Sequence, residues 1–236
     1  MGGREPLLIN DTSLNGFTRD LPLTYEANIH SYLGVPISYK NGDMFGTLCA
    51  IDSKIAKFTE KDIEVFQKFS NLFSYVIELE KKVQYDCLTD LFSRTYLYDN
   101  FNFIADKGTL MLIDLDRFKE VNDVYGHDVG DKVLREVGKR IKDFLDGNSL
   151  GARLGGDEFV ILFPNLQDHT QIEDKANCIL SILSDWKEFS YDIGISASIG
   201  VVKFPCDGVN DIGEHLKKAD IALYQAKEKG KNCFHF

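Results

Sequence analysis

The sequence predicts an α+β protein in which helices flank a mostly antiparallel sheet. Apolar runs of strand length alternate with segments whose apolar residues recur at helical spacing. Two strand pairs are separated by turn signals, Asn41-Gly42 and Gly155-Gly156, and turns of this kind join antiparallel strands. Strands mixed with helices in this way indicate the α+β class.

The predicted elements can be placed along the chain. Residues 1–58 read as a β-rich module whose strongest signal is a hairpin of residues 31–40 and 44–52. A long helix is predicted from Thr59, the candidate N-cap, with Asp62 at the capping-box position. The later predicted elements are a helix at 93–106, a strand at 110–114, helical turns at 117–125, a helix at 129–146, the hairpin at 150–163, a helix at 168–187, a strand at 193–203, a helix at 211–229 and a short last strand.

Composition excludes several classes of protein. With 236 residues, 44% hydrophobic and 27% charged, the chain has enough apolar material for one large or two modest globular domains. A net charge of −10 argues against a general nucleic-acid binder, because such proteins need many phosphate contacts. No apolar run is long enough to span a membrane, and the start has no signal region, so a cytoplasmic chain is expected. The five scattered cysteines fit reduced thiols better than disulfides or a zinc site.

The long helix carries a possible seam for a second helix. Phe66, Phe69, Phe73, Val76, Glu80 and Val83 follow a 3-4 spacing. This pattern is compatible with a short parallel coiled coil and equally with a helix that packs only within its own chain.

The Gly155-Gly156 pair predicts a two-residue hairpin turn, because both central positions of the favoured turn require positive φ. This turn holds two adjacent carboxylates, Asp157 and Glu158, at the hairpin tip. Neighbouring acids repel one another, so such a pair is usually kept where a cation or substrate offsets the cost. An ordinary hairpin with a polar tip explains this segment equally well when it is considered alone.

A second acidic element favours a functional reading. Residues 109–119 form an apolar strand of the buried kind that delivers Asp114, and ligands commonly bind at strand ends and in the loops beyond them. Asp114 beside Asp157 and Glu158 forms an all-oxygen cluster suited to Mg²⁺ or Mn²⁺ and unsuited to zinc. With lysines nearby, such a cluster suggests chemistry on a nucleoside triphosphate.

Five ordered motifs carry a specific resemblance. They are Asp86-x-Leu88-Thr89, Ile113-Asp114-Leu115-Asp116-x-Phe118-Lys119-x-x-Asn122-Asp123, Gly126-His127-x-x-Gly130-Asp131, Arg153-Leu154-Gly155-Gly156-Asp157-Glu158-Phe159 and Ala219-Asp220-x-Ala222-Leu223-Tyr224-x-Ala226-Lys227-x-x-Gly230-Lys231-Asn232. Together they resemble the GGDEF family of diguanylate cyclases. The first hairpin and the helix after it resemble the C-terminal part of a GAF domain, a signal-sensing module. The expected organisation is a partial GAF-like module at 1–58, a linker or signalling helix at 59–85 and a GGDEF catalytic domain at 86–236, with an upstream sensory region missing.

The resemblance implies a fold close to nucleotidyl cyclases and the polymerase palm. It also implies a reaction, the condensation of two GTP molecules into the bacterial second messenger cyclic di-GMP with release of two pyrophosphates. Each protomer would hold one GTP, so a homodimer would be needed for activity. Two Mg²⁺ or Mn²⁺ ions per site would be held by Asp114, Asp157, Glu158 and the Leu115 carbonyl.

The resemblance also implies roles for individual residues. Asp157 is assigned as base or metal ligand ahead of Glu158, because side chains alternate and Glu158 points to the other side of the strand tip. Asn122 and Asp131 would read guanine, whose paired donors suit a carboxylate. The expected phosphate cations are Lys119, which is also a candidate catalytic residue, Lys227 and Lys231. Arg153, Gly155 and Gly156 are expected to support the hairpin or border the substrate.

Some positions depart from the family pattern. The family usually has Gly at Asp90, Asn at Ser93 and Arg at Lys231. Residues 146–149 lack the Arg-x-x-Asp of product-inhibited members, so no inhibition through that site is expected. The alternative function is a catalytically silent module that binds GTP or a protein partner. Asp131 disfavours a cyclase for other nucleotides.

Overall fold

The structure, a computed structural model, describes residues 5–55, 58–187, 189–191, 193–205 and 210–236. The chain start, residues 1–4, and Cys206 lie outside these ranges. The chain divides into two compact units, residues 1–81 and 82–236. Within the described ranges, no helix combines the length and the apolar character needed to cross a membrane.

The first unit contains a three-stranded antiparallel sheet in the order β1-β2-β3, formed by Leu7–Ile9, Ser31–Ser38 and Met44–Asp52. A short helix, α1 (Pro22–Glu26), lies between β1 and β2 along the chain. The β2–β3 hairpin confirms the prediction made from Asn41-Gly42. Its turn is closed by the Gly42 N–H, which donates to the Tyr39 carbonyl at 2.9 Å, and Gly42 has φ +87°, which glycine adopts without strain.

The long helix, α2 (Glu60–Gln84), begins where Thr59 and Asp62 predicted. The Thr59 N–H and hydroxyl both donate to one Asp62 carboxylate oxygen at 2.7 Å. The N–H bond is the one that a capping box requires, whereas the hydroxyl donates instead of accepting.

The predicted seam on α2 was partly wrong. The apolar seam positions Phe69, Phe73, Val76 and Val83 are exposed as expected. Phe66 is instead half-buried on the same side as Ser70, whose hydroxyl donates to the Pro36 carbonyl. The exposed stripe is instead formed by Val65, Phe69, Leu72, Val76, Leu79 and Val83, which are 42–61% exposed. Its spacing of 4-3-4-3-4 is the heptad spacing of coiled-coil positions.

The second unit is built on a six-stranded sheet in the order β4-β6-β7-β5-β8-β9. In the same spatial order, these strands are Phe92–Ser93, Leu150–Gly155, Glu158–Pro164, Gly108–Asp116, Ser196–Phe204 and Phe234–His235. The three inner pairings are antiparallel, and the edge pairs β4–β6 and β8–β9 are parallel. The mostly antiparallel sheet predicted from sequence is therefore confirmed, and β5 lies near its centre.

Helices cover both faces of this sheet. They are α3 (Arg94–Ile104), α4 (Phe118–Tyr125), α5 (His127–Phe144), α6 (His169–Ser184) and α7 (Ile212–Glu228). One apolar core joins the sheet to α4, α5 and α6, and the other joins it to α3 and α7. Along β5, Met111, Ile113 and Leu115 point into the first core, whereas Leu110 and Leu112 point into the second. The even-numbered positions of β5 therefore face α7.

Candidate active site

Alternation along β5 decides where its carboxylates point. Asp114 and Asp116 continue the series of Leu110 and Leu112, so both lie on the face of the sheet that α7 covers. The Asp114 side chain is 15% exposed, and Asp116 as a residue is only 3% exposed. The strand thus delivers one partly accessible carboxylate and one buried carboxylate to the same side.

The hairpin brings its acids next to β5, with a turn one residue later than predicted. Gly155 pairs with Glu158, so Gly156 and Asp157 are the two central residues of the turn. The register shifts between Arg153 and Gly155, and this irregularity moves the tip along the chain. Gly155 and Gly156 have φ values of +143° and +53°, so both glycines are needed, although only Gly156 is central.

The strand register pairs the two acidic elements directly. Asp114 on β5 lies opposite Glu158 on β7, and directly opposed side chains in an antiparallel pair share one face. The Leu115 N–H donates to the Asp157 carbonyl at 3.3 Å and ties the turn to the end of β5. The three acids singled out in the sequence, Asp114, Asp157 and Glu158, therefore meet in the structure.

A glycine in β8 lets α7 approach the site. A side-chain carbon at Gly200 would lie 2.0 Å from the Ala219 carbonyl oxygen, so only glycine permits this packing. The close approach places Lys227, near the end of α7, with its Nζ 2.8 Å from Asp114 Oδ1. A cation predicted to bind phosphate thus contacts a carboxylate predicted to bind metal.

These elements surround a cavity of about 470 Å³. Its lining residues are Asp114, Leu115, Asp116, Arg117, Phe118, Lys119, Glu120, Asp123, Asp157, Lys227 and Lys231. All three predicted phosphate cations are among them. A cavity lined by both carboxylates and lysines can hold a polyphosphate together with a divalent cation. A larger cavity, about 610 Å³, lies in the first unit between β2 and α2 and has none of these residues.

The acids of the site perturb one another. Burial raises the pKa of Asp114, the ion pair with Lys227 opposes this, and the charges of Asp157 and Asp116 add to the increase. Burial likewise raises the pKa of Glu158, reinforced by the charges of Asp114, Asp157 and Asp220. Clustered carboxylates with raised pKa values are stabilised in their charged form when a cation binds.

The donor set fits a Mg²⁺ or Mn²⁺ ion that is bound together with substrate. Among the described residues, no group of three His, Cys, Asp or Glu side chains is arranged to hold an ion by itself. Mg²⁺ does not need such a cage, because it is usually held by one or two carboxylates, water and substrate phosphates. Asp114, Glu158 and the Leu115 carbonyl are hard oxygen donors of the kind this mode of binding requires.

The predicted guanine-reading residues lie near the junction of α4 and α5. A side-chain carbon at Gly130 would lie 2.0 Å from Asn122 Oδ1, so the Asn122 amide packs against the backbone next to Asp131. Asp131 is half-exposed and lies 3.9 Å from the Arg135 guanidinium. The structure brings these two residues to one place, which is outside the lining of the acidic cavity.

Arg153 contacts protein groups. Its Nε and Nη2 donate to the Gly156 carbonyl at 3.1 and 2.7 Å, and its Nη1 donates to Asp86 Oδ1 at 3.0 Å. Two roles were predicted for Arg153, support of the hairpin and contact with the substrate, and these contacts are of the first kind. Arg153 does not line the cavity.

Sequence reasoning did not single out Asp116, which accepts hydrogen bonds from Ser196, Ser198 and the backbone of Asn232. Its position two residues after Asp114 on the same strand was the available signal.

The fold and the site define a class of α+β protein that has a cavity lined by carboxylates and lysines at the end of its central strand. Comparisons with known proteins specify the family. The family model described as "Diguanylate cyclase, GGDEF domain" matches residues 83–233, and the GAF domain model matches residues 2–77. Because the first match covers more than half of the chain, the chain belongs to the GGDEF diguanylate cyclase family.

Relatives and solved structures agree with this assignment. The chain is 29% identical over 222 residues to diguanylate cyclase DgcP of Escherichia coli. The aligned region covers 85% of this chain and 65% of DgcP. It is 35% identical over 162 residues to response regulator PleD of Caulobacter vibrioides. This aligned region covers 63% of this chain and 35% of PleD. The crystal structure of the coiled coil and GGDEF domain of DgcB from Caulobacter crescentus, in complex with c-di-GMP, matches with a TM-score of 0.67 at 23% identity, covering 74% of this chain and 97% of that chain. The chain spans 21–65% of the length of the curated relatives DgcP, YtrP and YkoW.

Proposed function

We propose that this chain is a diguanylate cyclase that condenses two GTP molecules into cyclic di-GMP and releases two pyrophosphates. The observation that carries the proposal is the cavity lined by Asp114, Asp157, Lys119, Lys227 and Lys231. These residues come from a central strand, a hairpin tip, two helices and the turn after the second helix, and no shared structural element explains their meeting. Membership of the cyclase family supports the same reaction.

In this proposal the acids position the metal and accept a proton. Asp114, Glu158 and the Leu115 carbonyl would bind Mg²⁺ or Mn²⁺, with the register pairing of Asp114 and Glu158 as support. The bound ions would neutralise phosphate charge and lower the pKa of the attacking hydroxyl. Asp157, in the turn and against the cavity, would accept the proton of the 3′-hydroxyl. That oxygen forms a bond to the α-phosphorus of the second GTP, and the bond from this phosphorus to the β-phosphate oxygen breaks.

The remaining residues would hold the nucleotide. Lys119, Lys227 and Lys231 would pair with the triphosphate, whose charge an otherwise acidic protein must neutralise locally. Asn122 and Asp131 would accept and donate hydrogen bonds at the guanine edge. An adenine leaves the carboxylate without its donor pair, so the site would select guanine.

Condensation of two bound nucleotides requires two such sites to face each other. The exposed stripe of Val65, Phe69, Leu72, Val76, Leu79 and Val83 supports a parallel pairing of α2 helices from two copies. Apolar residues at a and d positions are buried when two such helices associate, which offsets the entropy of ordering them.

The test is to incubate the purified chain with GTP and either Mg²⁺ or Mn²⁺ and to resolve the products by chromatography. Asp114→Asn, Asp157→Asn and Glu158→Gln are each expected to lower the turnover by about 100-fold or more, since each removes a charge at the metal or at the attacking hydroxyl. Chelation of the metal should stop turnover. Asp143→Asn, a charge-matched change at an exposed position of α5, should leave turnover unchanged.

The outcomes separate the rival functions. A folded dimer that binds GTP without forming cyclic di-GMP would identify the silent GTP-binding module. Turnover by Asp157→Asn equal to that of the unchanged chain would refute the role given to the hairpin.

A further inference from the structure

The residues after α7 form a turn in an unfavourable backbone conformation. Gly230, Lys231 and Asn232, which make up the C-terminal turn, have φ values of +113°, +67° and +47°. Glycine accepts positive φ freely, but a lysine in this region is uncommon and strained. Such a conformation persists only when surrounding contacts hold it in place.

The contacts that hold the turn converge on Asn232. Its N–H donates to Asp116 Oδ2 at 3.2 Å, and its side-chain oxygen accepts from the Ser184 hydroxyl at 2.9 Å. The preceding residue, Lys231, is bonded through its N–H to the Ala226 carbonyl at 3.3 Å. The last strand follows directly, since the Cys233 carbonyl accepts from the Ile199 N–H at 3.0 Å.

Asp116 is built into the sheet below the turn. It is 3% exposed, and it also accepts from the hydroxyls of Ser196 at 2.7 Å and Ser198 at 2.9 Å. Burying a carboxylate is costly, and charge-assisted hydrogen bonds such as these three are stronger than neutral ones. The two serines hold the Asp116 carboxylate in place, and the carboxylate in turn accepts the N–H of Asn232, the last residue of the turn.

Of the three residues in this turn, Lys231 lines the active-site cavity, together with Lys119 and Lys227. We propose that Asp116 is a positioning residue for triphosphate binding, because its hydrogen bond to Asn232 holds the C-terminal turn and thereby aims Lys231 at the phosphates. The inference rests on the proposed function and adds to it a residue that touches neither the nucleotide nor the reacting atoms.

The test is a double-mutant cycle on binding of α,β-methylene-GTP, which cannot react at the α-phosphate, in the presence of Mg²⁺. Asp116→Asn and Lys231→Met are each expected to weaken binding by about tenfold, the scale of one charged contact. The double variant should bind the analogue at most about twofold more weakly than either single variant, because both substitutions act on the same contact. GMP, which lacks the β- and γ-phosphates, should bind all four proteins equally.

Matched variants separate positioning from general stability. Ser198→Ala removes one bond to Asp116 but leaves the bond to Asn232, and its affinity for the analogue should be retained. Asn232→Gly removes the side-chain bond to Ser184 but keeps both the N–H donor to Asp116 and the positive φ, so it should also bind normally if the bond to Asp116 is the one that holds the turn. Asn232→Val has a branched side chain that disfavours positive φ, so it should lose affinity for the analogue as Asp116→Asn does. If the buried substitution Asp116→Asn prevents folding, Asn232→Val still tests the proposal.

For Asp116→Asn, the kinetic readout is a rise in KM for GTP, while kcat at saturating GTP changes by less than about threefold. This is expected because the substitution affects only binding of the triphosphate. Multiplicative losses in the double variant, or an equal loss of GMP binding, would overturn the inference.

A second readout does not depend on nucleotide. Amide hydrogen exchange at Asn232 should be faster by about tenfold or more in Asp116→Asn, while exchange in β8 stays unchanged. If the unchanged chain did not bind α,β-methylene-GTP, the proposed function would fail. Hydrogen exchange would then test by itself whether Asp116 anchors Asn232. Unaltered protection of the Asn232 amide in Asp116→Asn would overturn the inference in either case.

Discussion

His215 shows how burial acts on a single titratable residue in this chain. It is fully buried against the rings of Phe101 and Phe204, with centroids 5.6 and 5.7 Å away. Within the described residues, neither ring nitrogen has a hydrogen-bond partner. Burial first, and the charge of Lys218 second, lower the pKa of His215. Protonation of this ring is therefore less favourable in the folded chain than in the unfolded chain.

This lowered pKa predicts a pH dependence of stability. Below the ordinary histidine pKa of about 6.5, the unfolded chain binds a proton that the folded chain resists, so the free energy of unfolding falls as the pH drops from about 7.5 to about 5.5. One proton contributes at most about 1.4 kcal/mol per pH unit. Urea unfolding of His215→Leu should show a smaller decrease over this range. His169→Gln, a change at an exposed histidine, should keep the original slope, and an unchanged slope in His215→Leu would contradict the prediction.

Arg153 is the second residue whose environment predicts a measurable effect. Burial raises the pKa of Asp86, but hydrogen bonds from Thr89 and Arg153 outweigh it and hold that pKa below its usual value. Arg153→Met would leave Asp86 partly buried without its cation, and we expect a loss of about 1–3 kcal/mol at pH 7 by urea unfolding. Because the Asp86 pKa is lowered in the folded chain, this contribution is present above about pH 4 and is lost as the pH falls through the folded value.

The matched control for Arg153 is Lys142→Met, which removes the exposed Lys142–Asp90 pair and should cost less than about 0.5 kcal/mol. Equal losses in the two variants would show that the hairpin tip does not depend on Arg153.

At the scale of elements, the turn before β6 closes on itself. The Asp146 carboxylate accepts from the Asn148 N–H at 3.1 Å and the Ser149 hydroxyl at 2.5 Å. These bonds, that to Ser149 foremost, lower the pKa of Asp146. An acidic turn that satisfies its own polar groups offers no guanidinium to a guanine base.

We therefore expect that cyclic di-GMP does not bind this turn with submicromolar affinity, as measured by isothermal titration calorimetry. The double substitution Asp146→Arg with Ser149→Asp installs the Arg-x-x-Asp pattern at the same positions and should increase the affinity by about tenfold or more, the scale of a bidentate arginine contact. Submicromolar binding by the unchanged chain that is lost on altering residues 146–149 would refute the expectation.

For the whole molecule, the exposed stripe of α2 links association to catalysis in the proposed reaction. Leu72→Glu with Leu79→Glu places like charges at paired d positions and should shift the chain to a monomer in analytical ultracentrifugation. Turnover at micromolar protein should fall by about tenfold or more, because two facing sites are required, while binding of a GTP analogue stays unchanged. Glu64→Lys, a change away from the stripe, is the control. Full turnover by a monomeric variant would contradict the requirement for a dimer.

Many features of this fold were accessible from local sequence. Apart from β4, which was not predicted, the helices and strands of the second unit begin and end within a few residues of their predicted bounds, because apolar periodicity and capping residues act over short distances. The hairpin turn was misplaced by one residue, since the irregularity at Leu154 depends on pairing with β7. The α2 stripe was misplaced for a similar reason, because packing on the sheet selected Phe66 for the inner side.

The sequence by itself determined which chemical groups this protein possesses and on which elements they lie. Strand alternation put Asp114 and Asp116 on one face, and the glycine-acid hairpin was readable from its residues. The tertiary structure decided which groups meet. The close contact of α7 with Gly200, the Lys227–Asp114 ion pair, the capture of Arg153 by Asp86 and the anchoring of Asn232 by Asp116 all join residues that lie far apart in the chain. Local propensity carries no information about such distances, which are set only when both faces of the sheet are packed.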